Sequence, residues 1–283
     1  MPEGDTLFRT AEVLRSVLGG RRIVAARGRA GGAHVERLAG STVTDVRAQG
    51  KHLLIGTDAG LTLHTHLRMH GSWHRYRAGE AWRRAPSTAV AVLDVGDAVA
   101  VCFDAPVVEV IETRALAIHP ALRALGPDLL GADPDLGEAL RRLRSTSRAD
   151  VAIGDALLDQ RAQAGLGNVY RSEVCFIERV DPFAPVGAFD DATLRRLLAT
   201  GRRLLDANRS TPLRTTMPGP DGSPPGAGTP RPRGDRLWVY GRTGRPCRRC
   251  GTPVASTTSG PLARRTYWCP ACQAPRTGTL PDG

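Results

Sequence analysis

Lysine is almost missing from this chain. Lys51 is the single one among 283 residues, so nearly all of the 39 Lys plus Arg are arginine. Either an arginine-biased composition has left one lysine over, or VRAQGKHLLIG needs a compact ammonium on a flexible stem where a planar guanidinium does not fit. Composition alone leaves both readings open. Acid is also short: 28 Asp plus Glu give a formal charge of +11 and a pI near 10.3. That imbalance points to a polyanionic partner, of which nucleic acid is the commonest. No apolar run reaches the length of a membrane span, and MPEGDTLFRT lacks the apolar core of a secretory signal. These absences argue against a helical membrane protein and predict a cytoplasmic, nucleoid-associated one. Cysteine is absent from most of the chain. Four of the six lie in the last forty residues, while Cys102 and Cys175 stand alone in apolar runs. Such a distribution argues against a disulfide framework and for one local metal site beside two buried thiols.

What is present divides by periodicity. DTLFRTAEVLRSVLGG predicts a helix with Leu7, Phe8, Ala11, Leu14 and Leu18 on one face, Asp5 or Thr6 as its cap and Gly19-Gly20 as its stop. From about Arg22 to Ile111 the pattern becomes short apolar or alternating runs: RIVAAR, STVTDVRA, HLLIGT, LTLHTHL, STAVAVLDV, AVAVCF and PVVEVIE. Gly, Asp and Pro separate them, which predicts an antiparallel sandwich or barrel. After Arg114 helical signals return in DLGEALRRLRS, ADVAIGDALLDQ, NVYRSEVCFIER and FDDATLRRLLATGRRLLDAN. Residues 215–235, TTMPGPDGSPPGAGTPRPRGD, are so rich in Pro and Gly that they receive no fixed fold and read as a mobile loop or linker. DRLWVYGR then reads as a short strand, and the closing TGTLPDG as frayed.

The strongest chemical signal is Cys247-x2-Cys250, eighteen intervening residues, then Cys269-x2-Cys272. This is the spacing of a four-thiolate zinc ribbon, in which two turns each present two sulfurs to one ion. Four thiolates saturate one Zn²⁺, so the site is structural, and a segment of about forty residues needs the metal to fold. Redox pairs or disulfides are the competing reading. Between the pairs, STTSGPLARRTYW predicts a hairpin turning near Ser259-Gly260, with Arg264 and Arg265 on the returning strand. A second signal is QAGLGNVYRSEVCF: Gly165 and Gly167 make a tight turn, and Asn168 opens a helix whose first N–H groups suit a phosphate, unless it is only an ordinary glycine turn with an Asn cap. A third is the start of the chain. Removal of Met1, which the small Pro2 permits, leaves a secondary amine followed directly by Glu3. An N-terminal amine titrates near ~8, a helix beginning just after it lowers that further, and an adjacent carboxylate can shuttle a proton.

MPEGD, QGKHLL, GLGNVYRSE and CxxC-x18-CxxC, in this order and spacing, resemble the formamidopyrimidine-DNA glycosylase/endonuclease VIII family of bifunctional DNA glycosylases over the whole chain. The resemblance implies an α+β multidomain protein: an N-terminal two-layer β-sandwich with flanking helices (1–113), a helix–two-turn–helix DNA-binding domain (114–235) and a zinc finger (236–283). Double-stranded DNA bearing an oxidised base or abasic site would lie between them with the nucleotide flipped out, bound by a monomer holding one structural Zn²⁺. By resemblance Pro2 is the nucleophile on C1′, Glu3 the proton carrier, and Lys51 the hairpin lysine that contacts phosphate and sugar and aids catalysis. Asn168 and Arg264 match phosphate contacts. Arg68, Met69 and His70 of LRMHGSW lie where endonuclease VIII carries the wedge that fills the void left by the base; the alternative is that they are strand-end residues. Thr6 stands where many relatives have a glutamate, so that role is unfilled or passes to Asp5. FDAPVVEVIE has no counterpart of the DPRRFG-like wedge of the formamidopyrimidine branch, and its 8-oxoguanine-covering loop would fall in 215–235. Both departures favour oxidised pyrimidines such as thymine glycol. An oxidised-purine glycosylase, or a silent binder of damaged DNA, are the alternatives. His64 and His66, alternating with leucines, read as packing or hydrogen-bonding residues rather than ligands.

Overall fold

The structure, a computed structural model, describes residues 2–29, 31–228, 231–261 and 263–274, apart from the side chains of Arg233 and Ser259. The fate of Met1 and the fraying expected of TGTLPDG lie outside the described residues. The chain divides into two compact units, Met1–Leu125 and Gly126–Gly283. No helix among the described residues is long and apolar enough to cross a membrane.

In the first unit, α1 (Gly4–Leu18) buries Leu7, Ala11, Leu14 and Leu18 of the stripe its sequence predicts, while Phe8, one position off that line, is only half-buried. Two antiparallel sheets follow. One holds β1 (Ala25–Gly28), β5 (Ser72–Arg77), β6 (Ala89–Asp94) and β7 (Ala98–Phe103) in the order β1-β6-β7-β5; the other holds β2 (Val43–Gln49), β3 (His52–Thr57), β4 (Leu61–His66) and β8 (Val107–Glu112) in the order β2-β3-β4-β8. Leu53, Ile55 and Leu63 from one sheet meet Ala91, Leu93, Ala100 and Cys102 from the other, with the α1 stripe in the same core. This is the expected β-sandwich with a flanking helix. Because strand side chains alternate, placing Leu53 and Leu63 inward turns His52, His64 and His66 to the opposite face. The strand absent from the sequence reading is β5: SWHRYR is charged, and it forms a sheet edge beside β7. A turn of 3₁₀ helix (Thr113–Ile118) and α2 (Pro120–Arg123) complete this unit.

The second unit contains α3 (Leu136–Leu143), α4 (Ile153–Ala156), α5 (Asn168–Ile177) and α6 (Asp191–Ala207), then the hairpin β9 (Ala255–Ser259)–β10 (Arg264–Trp268). Asp135 and Asp190 cap α3 and α6 by accepting the N–H of Glu138 and Thr193. ADVAIGDALLDQ yields only the single turn of α4. Beyond it the Leu157 and Leu158 carbonyls accept from the side-chain amides of Gln163 and Gln160, and the Arg161 and Ala162 N–H groups turn to Asp159 instead of continuing the helix. DRLWVYGR is not a strand, because the N–H groups of Trp238, Val239 and Tyr240 point to the Glu173 carboxylate. Nor is 215–235 structureless where it is described. Thr215 and Asn208 exchange two hydrogen bonds, Thr216 N–H donates to the Arg236 carbonyl, and residues 233–235 form a 3₁₀ turn. Composition misses this because residues outside the segment, the Asn208 side chain and the Arg236 carbonyl, supply the partners.

Candidate active site and metal centre

In the first unit the backbone of Glu3 is extended, so α1 begins at Gly4 and Glu3 becomes its cap residue, in place of the expected Asp5 or Thr6. The Glu3 carbonyl accepts from Thr6 and Leu7, but its side chain makes no capping bond. Glu3 is completely buried, Asp5 nearly so, and Pro2 immediately before them is half-buried. The Thr6 hydroxyl donates to Asp5 over 3.4 Å. The Glu3 carboxylate is thus buried at the head of α1, directly after Pro2, and is not used as the helix cap.

Lys51 sits in the two-residue turn joining β2 to β3, where Gln49 pairs with His52. Gly50 takes φ +57°, the left-handed conformation such tight hairpins require at their first central position. The half-buried ammonium of Lys51 is close enough to depress His66 electrostatically. Burial, then the Arg68 and Lys51 cations, take His66 down to about 4; burial and the neighbouring histidines take His52 to about 3. Both imidazoles are therefore neutral at physiological pH. His52 Nδ1 lies 2.7 Å from His64 Nε2, and His64 Nδ1 lies 2.8 Å from Glu109.

Arg68, Met69 and His70 form the exposed turn between β4 and β5. Arg68 is held at φ +49°, unusual for a residue with a side chain, and its N–H donates to His66 Nδ1. Gly71 closes the turn against Leu67; a Cβ there would lie 2.6 Å from the Leu67 carbonyl oxygen.

In the second unit every residue of α5 from Asn168 to Phe176 is buried. Tyr170, Val174 and Cys175 face the helical core, and Phe176 joins Val239, Val254, Cys247 and Cys269 under the cysteine hairpin. The polar residues of NVYRSE bind the helix to its surroundings. Asn168 Nδ2 donates one hydrogen to the Arg265 carbonyl, 3.0 Å away, and Arg171 donates to Asp155 and to the Arg264 carbonyl. Arg264 is half-buried and Arg265 exposed on β10. Glu173 accepts from the three N–H groups of 238–240 and from Thr216; burial pushes its carboxyl up while these donors pull it back. The roles of Glu173 and Arg171 are missing from the sequence reading, since nothing in helical periodicity identifies a buried charge or its partners.

The four cysteines converge. Cys247 and Cys272 sulfurs are 3.9 Å apart and Cys250 and Cys269 sulfurs 3.5 Å, against roughly 3.8 Å between sulfurs on one tetrahedral ion with ~2.3 Å bonds. All are free thiols with their donor atoms within 4.8 Å of one another. The Arg249 N–H points at the Cys247 sulfur and the Cys272 N–H at the Cys269 sulfur, both at 3.4 Å, which favours thiolates. Thr252 hydrogen bonds lower Cys250 to about 6, whereas burial raises Cys269 and Cys272 in the absence of a cation's charge. The set fits a tetrahedral thiophilic cation with no open position. The isolated Cys102 and Cys175 are buried, as expected, and burial pushes Cys175 up to about 12.

A buried glutamate at the head of α1, a hairpin lysine and a glycine-primed helix joined to a four-cysteine hairpin define a protein of the DNA glycosylase type. The chain belongs to the formamidopyrimidine-DNA glycosylase/endonuclease VIII family: residues 1–106 match the formamidopyrimidine-DNA glycosylase N-terminal domain and 125–209 its H2TH domain. It is 43% identical to the probable endonuclease 8 2 of Streptomyces coelicolor, covering 98% of this chain and 97% of that one. It is 40% identical to the DNA-(apurinic or apyrimidinic site) lyase Nei2 of Mycolicibacterium smegmatis, covering 96% and 99%. In fold it resembles a Lactococcus lactis FPG mutant crystallised with Fapy-dG-containing DNA, with TM-score 0.80, 21% identity and coverage of 96% and 100%.

Proposed function

We propose that this protein is a base-excision-repair DNA glycosylase with AP lyase activity, acting as a monomer on double-stranded DNA in the cytoplasm, on the nucleoid. The observation that carries the reading is Glu3: wholly buried, beside Pro2, its side chain not capping α1, in a chain with full-length relatives named endonuclease 8 and AP lyase.

The Pro2 nitrogen, exposed by loss of Met1, attacks C1′ of the flipped nucleotide's sugar. Glu3 assists ring opening and carries the proton, and the base departs as an iminium forms. The iminium acidifies C2′, and the strand is cut by β- and then δ-elimination. Lys51 binds phosphate and sugar and aids these steps. Arg68, Met69 and His70 fill the vacated stack, while Asn168 and Arg264 hold phosphates. Residues 236–283 act as a zinc finger, its one Zn²⁺ held by Cys247, Cys250, Cys269 and Cys272 for structure and not for chemistry. Oxidised pyrimidines such as thymine glycol are the preferred substrates, because FDAPVVEVIE lacks the wedge segment of the formamidopyrimidine branch.

Borohydride trapping on an abasic-site duplex tests the mechanism. Protein beginning at Pro2 is expected to form a covalent adduct that extra residues before Pro2 abolish. An adduct of undiminished yield from blocked protein refutes Pro2 as nucleophile, and DNA binding without any adduct marks a silent binder. A panel of single lesions tests the substrate; strong preference for 8-oxoguanine opposite cytosine overturns the pyrimidine reading.

A further inference from the structure

The outer face of the β2-β3-β4-β8 sheet carries a second convergence of metal-ligating groups, remote in sequence from the cysteines. His64 on β4 and Glu109 on β8 are directly opposed across the strands. His119, at the residue before α2, approaches from the turn that follows β8. Glu109 Oε2 lies 2.8 Å from His64 Nδ1 and 3.1 Å from His119 Nε2. Two imidazoles thus meet on the same carboxylate oxygen instead of sharing the two oxygens. The three donor atoms lie within 4.8 Å of one another.

We propose that His64, Glu109 and His119 bind a divalent cation of the zinc class. Bonds of ~2.0–2.1 Å in tetrahedral geometry put donors about 3.3 Å apart, so the present contacts need to widen by only a few tenths of an ångström. Two imidazoles and a carboxylate favour zinc-like ions over magnesium or calcium, which take oxygen ligands. His64 also has the outer partner that metal-bound histidines usually possess, His52 Nδ1 at 2.7 Å from its other ring nitrogen. The His64 side chain is 1% exposed and that of His119 17%, whereas Glu109 is 44% exposed. The ligands are therefore anchored in the fold while one side stays open for the ion to enter and for water to complete its shell. Bound there, the ion ties the 113–123 turn to β4 and β8. Through His52 it also stiffens the strand that leaves the Lys51 turn. This site does not depend on the proposed glycosylase chemistry.

The test is metal stoichiometry of the full chain equilibrated with micromolar buffered Zn²⁺, read by elemental analysis. Wild type is expected to hold two ions, Glu109→Gln and His119→Gln one each, and Cys269→Ser one. A single ion in wild type, or two in both the Glu109→Gln and His119→Gln variants, overturns the proposal. Co²⁺ gives a readout that does not rely on the cysteine variant folding. Glu109→Gln should lose weak visible bands of the nitrogen–oxygen site and keep the intense thiolate charge-transfer bands. Unchanged visible bands in that variant also overturn it.

Discussion

Glu3 and Glu173 are both completely buried, yet the two carboxylates are set in opposite ways. Glu173 faces a crowd of donors: three consecutive backbone N–H groups at 2.8–2.9 Å and the Thr216 hydroxyl. It takes the place of a strand partner for 238–240 and holds the approach to the cysteine hairpin against α5. Glu3 stands at a helix start, where a side-chain cap is the usual use of an acceptor, and makes none. Burying a carboxylate costs several kcal/mol unless hydrogen bonds offset it. Where donors surround it the residue serves the fold; Glu3, which leaves its helix uncapped, stands where the proposed chemistry places a proton carrier. Residue type and burial do not distinguish the two; the ring of donors on Glu173 and the uncapped helix start at Glu3 do.

The sharpest way to break this comparison is Glu3→Gln, which keeps shape and removes the proposed proton carrier. Base release should fall by about 10²- to 10⁴-fold with folding stability within about 1 kcal/mol of wild type, measured by single-turnover kinetics and urea unfolding. Retained excision with a large loss of stability would reverse the roles. Glu173→Ala is the complement: three N–H groups lose their acceptor, and the second unit should lose about 3–5 kcal/mol, read by denaturant unfolding together with faster metal release to a chelator. Gly71→Ala comes next. Its Cβ meets the Leu67 carbonyl at 2.6 Å, so the 68–70 turn should shift at a cost of about 1–3 kcal/mol, measured by thermal unfolding, and excision should weaken. Smallest is Asn168→Ala, which removes one hydrogen bond to the Arg265 carbonyl. About 1 kcal/mol of stability should go with no change in the salt dependence of DNA binding. Arg264→Ala should instead reduce that salt slope by about 1, as fluorescence anisotropy at several salt concentrations would reveal.

Much of the fold is legible where one residue pattern meets one physical demand. The α1 stripe, the alternating strands and the four-cysteine spacing each state their own partners. Legibility ends where partners come from elsewhere in the chain. SWHRYR does not look like a strand because an edge beside β7 tolerates charge. DRLWVYGR looks like one, but Glu173, far back in the sequence, captures its donors. The same limit applies to the candidate sites. Pro2, Glu3, Lys51 and the cysteines are readable as motifs, whereas the capping position of Glu3 requires knowing that the backbone is extended there. His64 and His66 read as packing or hydrogen-bonding residues, and hydrogen bonds are what they make. That Glu109 and His119 join His64 could not be read, because pairing register decides it.

The turn that presents Lys51 has a consequence for how this chain can vary. With only Gly50 and Lys51 between paired residues, adding or deleting one residue would reverse the facing of everything on β3. Leu53 and Ile55 would be pushed into the imidazole layer, and His52 would be driven among leucines. The oily residues therefore act as a ratchet on a charged one: the position of a single amine is policed by greasy neighbours that never touch a substrate.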